Sequence, residues 1–365
     1  MSSTRDLIRQ LPDLDTLMER LEVAPAIDAP QAFTDGGSRS FEAAGFDEPV
    51  SFGMESFSLI AEIRDPEETT RERYLAAGAR AVRKLKTEGL DADLRPDERI
   101  GLEAIVVTEG RPAILVQDGR FFPPPLKWQF LESSRETIEA NCKSVGRIEV
   151  TGHPSLDWIG TGFLVADDVI MTNRHVAKEF CQMKSRKRWG FETGMMAHID
   201  YVEEMGALNS AEFALTRVIG IHDVFDLALL RVERKSSSGL TRPKPLTIST
   251  TPPSQQQGCP VYCVGYPAWD GRRNDPDVMR KIFSNIFDVK RLQPGEIITV
   301  LDQEKLLLHD CSTLGGNSGS CVIDLESNQV VGLHFGGRYQ QGNYAVALWQ
   351  LVDDPLLKKA KLNFA

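Results

Sequence analysis

No stretch of about 18 apolar residues occurs in this sequence, so a membrane-spanning helix is not expected. Positive charge is in deficit. Forty-two Lys and Arg stand against 52 Asp and Glu, a net charge of −10. That balance argues against a general nucleic-acid surface or a surface for anionic membranes. One basic run, Lys184-Ser185-Arg186-Lys187-Arg188, lies among acidic neighbours and reads as a solvated loop. The N-terminus is charged from Arg5 onward and lacks the apolar core of a secretory signal. Six cysteines without such a signal fit reduced thiols, and a cytoplasmic location is the expectation. Cys259 and Cys263 have no second pair at zinc-knuckle spacing, so neither a metal site nor a cofactor is expected. Internal repeats are also lacking.

What is present is an ordinary globular composition, 41% hydrophobic and 26% charged over 365 residues. That length suits two domains, or one large domain with an extension. Residues 1–95 read as a helical or mixed N-terminal region. Leu14, Leu17, Met18 and Leu21 recur at helical spacing behind Asp13. A stronger helix signal starts at Asp65-Pro66, with acids in its first turn. It ends in Arg83, Lys84 and Lys86 before Gly89. Residues 96–142 read as a β-hairpin and a connecting helix. The hairpin pairs Ala104–Thr108 with Ala113–Val116, and the helix starts at the capping-box spacing Ser133-Ser134-Arg135-Glu136. Residues 143–352 form the next domain, and 353–365 a C-terminal tail.

From Val145 the pattern turns β-rich. Short apolar runs recur at 147–150, 162–165, 169–172, 227–232, 261–265, 297–301, 306–309, 321–323, 330–334 and 345–349. Turns rich in Gly, Asp, Asn and Pro separate them, which indicates a mainly β sandwich or barrel pair. Within this region "GTGFLVADDVIMTNRHV" places His175 just after a strand, and "HDVFDLALLRV" places Asp226 at the head of a buried run. "CSTLGGNSGS" then sets Ser318 among glycines. Glycine neighbours let the backbone turn sharply and bring bare N–H groups near the serine oxygen. The chain order His, Asp, Ser excludes the α/β-hydrolase and subtilisin orders, and Gly-x-Ser-x-Gly fails because position 320 is serine.

These three blocks resemble those of the chymotrypsin-like, or trypsin-fold, serine peptidases. The form "GGNSGS" is similar to the bacterial glutamyl endopeptidase-like branch. The resemblance spans about residues 145–350 and implies a double six-stranded β-barrel, here behind an N-terminal α-rich (α+β) extension. It also implies a Ser-His-Asp triad. His175 would be general base and then acid, and Asp226, preferred over Asp223 because it directly precedes the apolar run, would orient the imidazole. The backbone N–H groups of Gly316 and Ser318 would form the oxyanion hole, each donor contributing about 2.7–4 kcal/mol of barrier lowering.

The sequence departs from the digestive branch at two positions. Asn317 stands where those enzymes carry an aspartate that pairs with a freshly cut N-terminus, so activation by that route is not required. Val176 stands where a half-cystine usually follows the catalytic histidine. Cys311 and Cys321 flank the nucleophile and read as buried thiols. For specificity, Thr313 and His334 match the branch positions that bind a P1 carboxylate, so glutamate is one expectation and a small or apolar P1 the other. Phe335, Gly336 and Gly337 would pair with an extended substrate as an added strand.

The expected function is a cytoplasmic serine endopeptidase acting on proteins or peptides, with control or a regulatory protein partner supplied through the N-terminal region. Two alternatives are a peptide-binding module on a peptidase fold and an esterase acting on small acyl groups.

Overall fold

The computed structural model describes residues 111–185, 188–269, 276–338 and 342–365, with scattered positions between 77 and 98. The chain divides into two units, residues 1–36 with 42–110 and residues 37–41 with 111–365. In the first unit Ala77, Arg80, Ala81, Arg83, Lys84, Leu85, Thr87 and Glu88 are helical. Ala81 and Leu85, one turn apart, are buried. Lys84 Nζ reaches Glu98 Oε2 at 3.0 Å. The Leu14–Leu21 helix and the Ala104–Thr108 strand read from the sequence lie outside the described residues.

The second unit opens with strands β1 (Ile114–Gln117) and β2 (Arg120–Phe121). Asp118 and Gly119 between them both have positive φ, 51° and 70°, the geometry that joins two strands without splaying them. Ala113–Val116 therefore pairs forward, within the described residues, through a turn that the sequence reading did not place. A 3-10 helix over Leu126–Ser134 leads into α1 (Arg135–Cys142). Residues 111–142 are bonded to the β-rich body. β1 pairs with β12 (Arg291–Leu301), and Asn141 Nδ2 donates to Tyr262 Oη at 2.9 Å.

Two closed six-stranded antiparallel barrels come next. The first uses β3 (Val145–Thr151), β4 (Trp158–Ala166), β5 (Val169–Thr172), β8 (Met196–Asp200), β9 (Glu212–Ile221) and β10 (Ala228–Val232). Their order around the barrel is β10-β5-β4-β3-β8-β9. The second uses β11 (Pro260–Gly265), β12, β13 (Leu306–His309), β14 (Cys321–Asp324), β15 (Val330–Arg338) and β16 (Gly342–Ala347). It runs β11-β14-β15-β16-β13-β12 and closes through β11–β12. Outside the barrels are α2 (Arg174–Lys178), the hairpin β6 (Cys181–Ser185) and β7 (Arg188–Phe191), and α3 (Pro276–Phe283). Of the basic run, Lys184 and Ser185 lie on β6 and Arg188 on β7, and residues 186–187 lie outside the described residues.

β4 and β5 are buried on both faces because both faces meet protein. Leu164 and Ile170 fill the first barrel, whereas Phe163, Val165 and Met171 join a second apolar cluster with Tyr262, Val264 and Leu333. Alternation with a period of two sorts these residues to opposite sides.

The C-terminal residues are part of the same body. Helix α4 (Pro355–Ala360) is capped by Asp354, whose side chain accepts from the Leu356 and Leu357 N–H groups. Leu357 and Leu362 enter the apolar cluster, Asn363 N donates to Val165 O at 2.8 Å, and Ala365 N to Ile248 O at 3.0 Å. The chain thus returns from the second barrel to strap the first.

Candidate active site

His175 lies in the first turn of α2, immediately after β5 ends at Thr172. Asn173 at the helix start is fully buried, and its Nδ2 donates to the Asp226 carbonyl at 2.9 Å. Asp226 lies on the turn before β10 and faces back. His175 Nδ1 lies 2.6 Å from Asp226 Oδ2, and the His175 backbone N–H donates to Asp226 Oδ1 at 2.9 Å. Burial alone would raise the Asp226 pKa. The hydrogen bonds and charge of His175, with Arg174 nearby, outweigh burial and hold it below the ordinary carboxylate value. Asp223, three residues earlier, is exposed, and its carbonyl accepts from Arg174 Nη1 at 3.0 Å.

His222, which the sequence reading did not single out, shapes this turn. Its Nδ1 accepts from the Val224 and Phe225 N–H groups, and its Nε2 meets Asp354 Oδ2 at 3.1 Å.

Ser318 sits on the turn between Leu314 and Ser320 that enters β14, and first-barrel atoms clamp that turn. Thr161 N donates to Ser318 O at 2.8 Å, and Thr161 Oγ1 donates to Gly316 O at 2.8 Å. Gly160, beside it, has no room for a side chain. An added Cβ would stand 2.9 Å from Ser318 O and 3.0 Å from Val176 Cγ2. The residue following His175 and the carbonyl of Ser318 thus press on one glycine from two sides. Gly316 has φ +83°, and a Cβ there would lie 2.4 Å from Tyr266 O and 2.5 Å from the Trp158 ring. Among the described residues the N–H groups of Gly316 and Ser318 donate no hydrogen bond.

Asn317 is fully buried and pairs with Gln293 of β12 amide to amide. Its Nδ2 donates to Gln293 Oε1 at 2.7 Å, and Gln293 Nε2 donates to Ser312 O at 2.6 Å. A neutral pair therefore holds the turn where the digestive branch uses a charged one. No local sequence signal links Gln293 to Asn317, because only the β12 register brings them together.

Thr313 is half-buried on the approach to the turn, and His334 of β15 is buried. Gly319 N donates to His334 O at 3.0 Å and His334 N to Ser320 O at 2.9 Å, which ties β15 to the serine turn. His334 Nδ1 lies 3.2 Å from Nε2 of His309, a second buried histidine that the sequence reading left as the end of a strand. Burial, with the charges of His309 and His175, pushes the His334 pKa well below its ordinary value, so the ring is neutral. β14 pairs with β15 as far as Leu333, and β16 covers the other edge to Arg338. One edge of the Phe335, Gly336 and Gly337 stretch is therefore without a strand partner among the described residues.

Two closed antiparallel barrels, with a histidine from one and a glycine-bracketed serine from the other at their junction, define a trypsin-fold serine endopeptidase. The sequence comparisons agree. Residues 160–333 match the trypsin-like peptidase domain family. The chain is 29% identical over 309 residues to a probable serine protease of Lysobacter enzymogenes, covering 76% of this chain and 79% of that protein. It is 28% identical over 190 residues to a glutamyl endopeptidase of Staphylococcus epidermidis, covering 51% of this chain and 57% of that one. Among solved structures it is similar to the active form of the Rv3671c protease from M. tuberculosis, at 18% identity and TM-score 0.40. That match covers 62% of this chain and 84% of the other. A serine endoprotease from Yersinia pestis matches at 15% identity and TM-score 0.41, over 62% and 66% of the two chains.

Proposed function

We propose that Ser318, His175 and Asp226 act as a catalytic triad in cleaving peptide bonds, with preference for an acidic residue before the cut. As Ser318 Oγ attacks the substrate carbonyl, His175 Nε2 takes its proton and then delivers it to the leaving amine. Asp226 holds the Nδ1 proton and stabilises the imidazolium. The free N–H groups of Gly316 and Ser318 receive the oxyanion. Water then repeats the sequence and releases the acyl group. The observation that carries this reading is the double hydrogen bond from His175 to Asp226, since a buried carboxylate engaged in that way fixes one imidazole tautomer.

The acidic preference rests on Thr313 and on the neutral His334. When His309 Nε2–H donates to His334 Nδ1, the His334 proton resides on Nε2 and is available as a donor to a carboxylate. An extended substrate adds to the unpaired edge at Phe335, Gly336 and Gly337. Control from the N-terminal region is proposed to act through Arg111. Its guanidinium pairs with Asp310 at 2.5 Å and Glu296 at 3.3 Å, and its carbonyl accepts from Ser312 Oγ. A pull on the chain before Arg111 thus reaches the residue next to Thr313. The six buried thiols, all unpaired, support a reducing, cytoplasmic setting.

The test is mass spectrometry of a denatured peptide library cut by the wild type and by Ser318→Ala. Cuts after glutamate that vanish in the variant are expected. Cuts after small or apolar residues would overturn the pocket and keep the enzyme. Cuts that survive Ser318→Ala would overturn the triad. Arg111→Ala should change kcat/KM, and an unchanged value would remove the proposed route of control.

A further inference from the structure

Cys263 on β11, His309 at the end of β13 and Cys311 just beyond it come from separate parts of the second barrel. Their ligand atoms, two thiol sulfurs and one ring nitrogen, all lie within 4.8 Å of one another. All three residues are buried, at 0%, 0% and 1% exposure. Their surroundings are apolar, with Val261, Ile297, Leu307, Val322 and Ala345 in the same cluster.

One feature of this group is unusual for a core. His309 Nδ1 is buried with no hydrogen-bond partner among the described residues, and a buried polar atom left unpaired is destabilising.

We propose that Cys263, His309 and Cys311 bind one thiophilic closed-shell cation, Zn2+ or Cu+. Two thiolates and an imidazole are the ligand set such ions select. Donor atoms around a tetrahedral zinc lie about 3.3–3.8 Å apart, given bonds of about 2.0–2.3 Å, so closing this group on an ion takes movements of an ångström or less. Two thiolates cancel the charge of Zn2+, which leaves a neutral complex suited to burial. Binding sends the thiol protons to solvent. The ion takes up the unpartnered Nδ1, and the other ring nitrogen has its outer partner in place. With Nδ1 on the ion, His309 Nε2 carries the proton and donates to His334 Nδ1, 3.2 Å away, the arrangement that orients a metal-bound histidine. The occupied site would therefore also fix the His334 tautomer.

The experiment uses the full chain carrying Ser318→Ala to prevent self-digestion. It is unfolded in reductant and refolded with excess Zn2+ or, in a second arm, with Cu+. After removal of free metal, elemental analysis and native mass spectrometry should find one equivalent of one of the two ions, and the arm that loads identifies it. Adding Cys263→Ser or Cys311→Ser should reduce that to none. A third arm with Co2+ should give a thiolate-to-metal charge-transfer band in the folded chain, so the result does not depend on the variants folding. Folded protein without metal in all three arms would overturn the proposal, and so would a Cys263–Cys311 disulfide found by peptide mapping of protein isolated from cells.

Discussion

Asp226 accepts two hydrogen bonds from a single residue, one from the His175 ring and one from its backbone N–H. An asparagine there could keep the fold but would present an N–H where an acceptor is needed, and His175 would lose its tautomer. Asp226→Asn is expected to lower kcat by about 10⁴-fold with little change in structure. The same substitution tests the depressed pKa. A native carboxylate held below its unfolded value, about 3.9, adds stability that is present above that pH. This stability is lost as pH falls through the native value. In the Ser318→Ala background, urea unfolding at a series of pH values should show a steep acid limb when Asp226 is kept and a shallower one when Asp226→Asn is added. Equal limbs would mean that this carboxylate is not perturbed. His175, Asp226 and Ser318 could be picked out of the sequence because each sits in a short local pattern. His309, Gln293 and His222 were not, since what they do depends on the strand register that places partners beside them.

At the scale of elements, the apolar runs read from the sequence fall on strands in both barrels, while β8 and β9 went unread. In β9, Phe213 and Leu215 face inward, and the exposed Thr216 and Arg217 then interrupt the alternation. The pairing with β10 shifts register near the same place. A bulge of this kind resets which residues point inward, so a period-two search loses the strand. The elements are also fastened by buried charge that composition does not reveal. Lys290, fully buried before β12, donates to Tyr201 O at 2.6 Å and pairs with Glu204 at 3.2 Å. Glu204 in turn accepts from Gly119 N at 2.7 Å, which ties the β1–β2 turn to the loop after β8. Glu204→Ala would strand the ammonium, and the expected loss is about 3–5 kcal/mol in thermal or urea unfolding. Adding Lys290→Met to it should restore much of that loss, and a double variant no more stable than the single would argue against the pair.

For the whole molecule, the C-terminal residues tie back onto the first barrel. Asp354 has two tasks, since Oδ1 caps α4 and Oδ2 meets His222 Nε2. His222 organises the turn that carries Asp226, so Asp354→Ala should loosen that turn as well as remove a helix cap. The cap alone is about 1 kcal/mol. Faster amide exchange at 222–227, together with reduced kcat, is expected. Normal exchange there would confine Asp354 to its capping role. The order of synthesis gives this strap a further meaning. Domains fold as the ribosome delivers them, N-terminal parts first, and every strand of both barrels emerges before residue 354. Until the strap arrives, the aspartate turn lacks its outer anchor and β4 lacks the backbone partner that Asn363 supplies. A nascent chain can therefore hold every barrel strand and still lack the contact that anchors its aspartate turn.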